Sequence, residues 1–180
     1  MRKPRLGRSI QRDRLFIEID GMESVPGLWI AGPAGVGKST LIATYLEARA
    51  LKSAWLQLDS GDADPATFAH FLGESAALLK PRKPLRLPLL TADDLRDVPA
   101  FIRRCFRRLA LVLDRPWVLV LDNIQELDSL PALHAGIAAA LCEMPDGSRL
   151  IAISREPPAA EYARVLAGQQ MALIQANALR

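Results

Sequence analysis

The sequence predicts a three-layer α/β fold built on a five-stranded, mainly parallel sheet. Short β-branched runs alternate with longer segments of helical period, the pattern of successive βαβ crossovers. The runs are apolar throughout rather than at alternate positions, as in strands covered on both faces. A glycine-rich segment joins the first run to the helix behind it. With 180 residues, half of them hydrophobic and 24% charged, the chain is long enough for one domain that buries about 70% of its unfolded surface. That composition excludes a disordered chain. No run approaches the roughly 18 apolar residues of a membrane span.

The elements follow in order. Residues 1–10 (MRKPRLGRSI) are basic and lack an apolar stretch, so they read as an unstructured tail rather than a secretory signal, and the domain as residues 11–180. Residues 12–20 form a lead helix. Strands are expected at 27–31 (GLWIA), 53–58 (SAWLQL), 116–121 (PWVLVL), 149–153 (RLIAI) and 171–174, and helices at 38–50, 65–79, 98–113, 130–142 and 158–167. Asp64 before Pro65 suits an N-cap followed by proline at the first helical position. Residues 80–90 carry three prolines and four basic side chains, which fits a surface connection.

Gly32-Pro33-Ala34-Gly35-Val36-Gly37-Lys38-Ser39 matches G-x-x-x-x-G-K-[ST] in full. A chance match somewhere in the chain has a probability under about 1%, and this one stands where a phosphate loop must, after a strand and before a helix. Glycines let backbone N–H groups close on phosphate oxygens, and the helix N-terminus adds a positive dipole end. Lys38 is expected on the β- and γ-phosphates, Ser39 on Mg²⁺, and Thr40 as a further phosphate contact.

The strand 118–121 runs into Asp122, an acid positioned to complete the Mg²⁺ site with Ser39, as in a Walker B segment. The next residue is Asn123, which cannot accept a proton at neutral pH. Glu126 is then the candidate base for activating water. Ser154 and Arg155 end the next strand, and Arg155 is the candidate sensor of the γ-phosphate, with Ser154 as the other option.

Together these segments resemble the MalT-like members of the STAND class of P-loop ATPases, which stand at the front of LuxR-type transcriptional regulators. The resemblance rests on Arg12-Asp-Arg-Leu-Phe16, the loop 32–40, Trp55-Leu-Gln-Leu-Asp59, Asp62-Ala-Asp-Pro-Ala-Thr-Phe68, Leu119–Glu126 and Ile153-Ser-Arg-Glu-Pro-Pro158. It implies a core of the additional-strand (ASCE/AAA-like) type with sheet order 5-1-4-3-2. It also implies ATP rather than GTP, in keeping with the lack of an N-K-x-D motif. Relatives continue into a helical subdomain, a winged-helix module, sensor repeats and a helix-turn-helix, none of which fits after residue 174. The expectation is therefore a cytoplasmic nucleotide switch that binds ATP or ADP and hydrolyses slowly. Its partners are downstream regulatory domains or a second copy, with no direct DNA contact and no membrane. Two alternatives stay open: an interaction module gated by nucleotide without hydrolysis, and a small-molecule kinase.

Other features have structural readings. Net charge is only +3, from 23 basic and 20 acidic residues, which does not single out nucleic acid. Arg103, Arg104, Arg107 and Arg108 share a helix face that reads as solvated. Trp29, Trp55 and Trp117 lie in strands and read as core. Cys105 and Cys142, in apolar helical surroundings, read as buried free thiols.

Overall fold

The computed structural model describes residues 13–79, 81 and 84–175. The basic tail, the first residue of the lead helix, and Lys80, Arg82 and Lys83 of the basic connection lie outside the described residues. Each apolar run forms a strand: β1 Gly27–Ala31, β2 Ser53–Gln57, β3 Val118–Asp122, β4 Arg149–Ser154 and β5 Met171–Gln175. The helices are α1 Asp13–Asp20, α2 Lys38–Ala48, α3 Pro65–Ala77, α4 Val98–Val112, α5 Pro131–Ala140 and α6 Ala163–Ala167.

The sheet order is β2-β3-β4-β1-β5, which is 5-1-4-3-2 read from the other edge. All four pairings are parallel, so the expectation of a mainly parallel sheet holds without exception. The register aligns the carboxyl ends: Ala31 lies opposite Ser154 and Gln175, and Gln57 opposite Asp122. Loops leaving β1, β3 and β4 therefore gather at one end of the sheet, where open parallel sheets hold ligands.

Two cores cover the two faces. Helices α1 and α2 bury Phe16, Ile19, Ile42 and Leu46 against Leu28, Ile30, Val120 and Ile151. On the other face Phe68, Leu72, Phe101, Phe106 and Ile137 of α3, α4 and α5 pack on Leu119 and Leu121. Full burial of each such side chain contributes about 1.5–3 kcal/mol. A Cβ added to Gly136 of α5 would lie 2.8 Å from the Ile102 Cβ of α4, so the missing side chain sets how closely those helices approach. Trp29, Trp55 and Trp117 are buried, as expected. No helix among the described residues is long and apolar enough to cross a membrane.

Helix starts follow their caps. The Asp64 carboxylate accepts from Thr67 N at 2.8 Å ahead of Pro65. Asp97 does the same for α4, accepting from Ala100 N at 3.0 Å. Helix ends were less legible. The segment expected as one helix over 130–142 stops at Ala140 and tightens into a 3-10 turn, Leu141–Glu143, and that turn leaves Cys142 exposed rather than buried. Cys105 is buried, and burial pushes its thiol up to about 12.

The arginine face of α4 is not simply solvated. Arg103 and Arg107 converge on Glu143 at 2.8 and 2.9 Å, and Arg104 pairs with Asp94. Arg108 donates to the carbonyls of Pro84 and Arg86, both at 3.3 Å, tying the proline-rich connection to the helix.

Candidate functional site

The loop after β1 is shaped by two glycines in the left-handed region, Gly35 (φ 81°) and Gly37 (φ 86°). Nothing lies within 4 Å of a Cβ built on Gly35, so backbone conformation rather than space demands glycine there. Gly37 is also the N-cap of α2 and offers no side-chain cap, which leaves the leading N–H groups of the helix without a side-chain acceptor. A cavity of about 350 Å³ opens in front of them. Ala34, Gly35, Gly37, Lys38, Ser39 and Thr40 form one wall, and Asp122, Asn123 and Arg155 the other.

Gly32, Pro33 and Val36 support the loop from behind. The Lys38 ammonium is buried and donates to the Gly32 and Pro33 carbonyls at 2.5 and 2.9 Å. Val36 packs against the α2-side core, and Gly32 N donates to Ser154 O at 3.2 Å, holding the loop to β4. Burial lowers the Lys38 pKa from its ordinary value; the Asp122 charge opposes this and Arg155 adds to it.

Ser39 Oγ donates to Asp122 Oδ1 at 3.1 Å, bridging α2 and β3 across 83 residues of sequence. Burial raises the Asp122 pKa, against the Ser39 hydroxyl, the Asn123 backbone N–H, the nearby Trp55 indole and the Lys38 charge, which all favour the carboxylate. The Trp55 N–H lies close enough to exert this effect while falling outside hydrogen-bond geometry.

Beyond Asp122 the chain turns sharply. Asn123 takes the left-handed conformation (φ 63°), which asparagine tolerates better than most residues, and starts the 3-10 turn Ile124–Leu127. Glu126 lies in that turn and outside the cavity lining, with Gln125 Nε2 donating to its Oε1 at 3.4 Å. Gln125 Oε1 accepts from Arg155 N at 3.1 Å, so one amide joins the exits of β3 and β4. Ser154 is buried outside the lining, and its hydroxyl accepts from Glu156 N at 3.0 Å. Arg155 is exposed and lines the cavity. The sequence reading placed Trp55 and Gln125 within segments that carry the resemblance but gave Trp55 only a core role and Gln125 none, since their contacts with Asp122 and Arg155 form between distant segments.

Residues 5–153 match the AAA ATPase domain family. The chain is similar to the HTH-type transcriptional regulator MalT of Cronobacter sakazakii, at 26% identity over 94% of this chain and 19% of the regulator. The MalT of Klebsiella pneumoniae is 27% identical over 87% of this chain and 17% of its own length. The chain thus spans about a fifth of the length of the curated relatives it matches. Among solved structures, its fold is similar to a Signal Transduction ATPase with Numerous Domains (STAND) protein with a tetratricopeptide repeat sensor from Pyrococcus horikoshii. The TM-score is 0.59 and the identity 16%, over 96% of this chain and 24% of that one. The Aeropyrum pernix ORC1 protein, solved in complex with DNA, superposes with a TM-score of 0.57 at 12% identity, over 94% of this chain and 46% of that one. With a parallel sheet in the order 5-1-4-3-2 and a glycine-rich loop opening α2, the chain belongs to the AAA ATPase domain family.

Proposed function

We propose that this domain binds Mg–ATP and hydrolyses it slowly, serving as the nucleotide switch of a MalT-like regulator. One observation carries the reading: the Lys38 ammonium and the Ser39–Asp122 pair converge on a single cavity in front of the uncapped start of α2. Such a start attracts anions, because its N–H groups point outward and carry the positive end of the helix dipole. Lys38, already desolvated and held by two loop carbonyls, would exchange those acceptors for phosphate oxygens. Thr40 and the loop N–H groups would take the remaining ones.

The donors beside Lys38 fit a magnesium ion. Ser39 and Asp122 offer oxygen ligands only, 3.1 Å apart where the two cavity walls meet, which suits a hard cation that fills its other positions with water and phosphate. When bound, Mg²⁺ would neutralise charge on the β- and γ-phosphates. Arg155, with its backbone fixed by Gln125, would read the terminal phosphate from the β4 side.

Slow turnover is part of the proposal. Asn123 lines the cavity but cannot take a proton, and Glu126, the nearest candidate base, sits one turn further on. The same two facts favour the second reading, an interaction module gated by nucleotide without useful hydrolysis. Both are tested together by titrating ATP with and without Mg²⁺ and following single-turnover phosphate release. Lys38→Ala is expected to abolish detectable triphosphate binding; unchanged affinity would overturn the site. Glu126→Gln is expected to lower the release rate at least tenfold. An unchanged rate would remove Glu126 as base, and no Mg²⁺-dependent release from the unsubstituted chain would favour the second reading.

A further inference from the structure

We propose that Trp55 is a positioning residue for the Asp122 carboxylate, holding it through the indole N–H; this rests on the reading of Asp122 as the acid of the phosphate site. The sheet sets the two residues together. On the neighbouring parallel strands β2 and β3, Trp55 lies opposite Val120 and Gln57 opposite Asp122. Successive side chains alternate between faces, so Trp55, Val120 and Asp122 all rise toward α2. Trp55 therefore stands one strand across and one pleat back from the acid, a diagonal that an aromatic side chain spans.

The indole is an unusual neighbour for a carboxylate unless it donates to it. Trp55 is 5% exposed, and its Nε1 is buried with no hydrogen-bond partner. A buried N–H left without an acceptor is destabilising, because folding strips its water and returns nothing. The Asp122 carboxylate is the acceptor that the strand register sets beside it. Of the other two tryptophans, Trp29 already donates to Glu156 O at 3.1 Å. Trp117 is also unpartnered, but it lies at the opposite end of β3 with its side chain in the other core.

The arrangement has a consequence for the loaded site. Ser39 donates to Asp122. A hydroxyl carries one donor and two lone pairs, so Ser39 would keep this hydrogen bond while offering a lone pair to a cation. One hydrogen bond leaves the carboxylate free to turn, and a second donor would fix it. The Trp55 N–H, unpartnered and on the same face of the sheet, is available as that donor. Groups of this kind, one step behind the ligating atoms, commonly change metal affinity by an order of magnitude or more.

The test uses the full chain labelled with ¹⁵N, whose three indole N–H resonances are assigned by single Trp→Phe substitutions. Asp122→Asn is expected to move the Trp55 indole resonance and leave that of Trp117 in place. Trp55→Phe keeps most of the ring volume and removes the donor. It is expected to raise the Mg²⁺ concentration needed for half-maximal ATP binding about tenfold, with affinity for metal-free ATP unchanged. A Trp55 resonance indifferent to Asp122→Asn, or an unaltered Mg²⁺ requirement in a folded Trp55→Phe chain, overturns the assignment. If the unsubstituted chain binds no ATP, the proposed function fails, and the indole shift alone still decides the contact.

Discussion

Gly35 separates backbone demand from steric demand. Its φ of 81° is closed to most side chains, yet a methyl group there would touch nothing within 4 Å. Gly35→Ala should therefore destabilise the fold by about 1–2 kcal/mol through backbone strain alone, measured as a lowered urea midpoint with an unchanged m-value. A neutral result would mean that the loop relaxes to a different conformation in solution. The glycine's importance was readable from the motif, since G-x-x-x-x-G-K-[ST] fixes residue types at fixed offsets. Asp122 was readable for a similar reason, as an acid ending an apolar strand. Gln125 was not: its amide joins Arg155 N to Glu126 across 30 residues, and nothing in the local pattern marks a glutamine for that task.

At the scale of elements, the joint between α4 and the end of α5 depends on charge. Glu143 receives Arg103 and Arg107 from one face of α4, and these donors, Arg107 foremost, hold its carboxyl at about 2, well below the ordinary 4.5. A lowered folded-state value means stability that is present above the ordinary carboxyl range and lost as pH falls toward the folded value. Glu143→Gln should accordingly lower the urea midpoint at neutral pH, with the gap to the unsubstituted chain closing as pH falls from about 4.5 toward about 2. A gap that does not change with pH would assign Glu143 a packing role instead. Strands were legible to within a residue or two, because an apolar run has few ways to be covered on both faces. Helix ends and the arginine pairs were not. The sequence reading left the arginines to solvent because Glu143 lies 40 and 36 residues away and meets them only after α5 has folded back on α4.

For the whole molecule, the proposed ligand and the fold are linked. A ligand that binds only the folded state adds RT ln(1 + [L]/Kd), about 2.7 kcal/mol at a hundredfold excess over Kd. For a domain of this size that is a rise in Tm of roughly 5–10 °C. Mg–ATP should produce such a shift in a thermal melt, and Lys38→Ala should abolish it while leaving the ligand-free melt nearly unchanged. A shift that survives Lys38→Ala would locate binding elsewhere. The topology was legible at this scale only through resemblance. Alternation of strands and helices gives a parallel sheet, but many strand orders satisfy it, and the motifs selected 5-1-4-3-2.

A sheet with every pairing parallel also acts as a routing rule. Ala31, Gln57, Asp122, Ser154 and Gln175 all end their strands at one rim, and Gln175 lies in register with Ala31, next to the glycine loop. The last strand thus ends at the rim that carries the glycine loop rather than at the far end. In a longer regulator, whatever is attached there begins beside the strand that carries the glycine loop. A shift in the glycine loop would have only the β1–β5 pairing to cross.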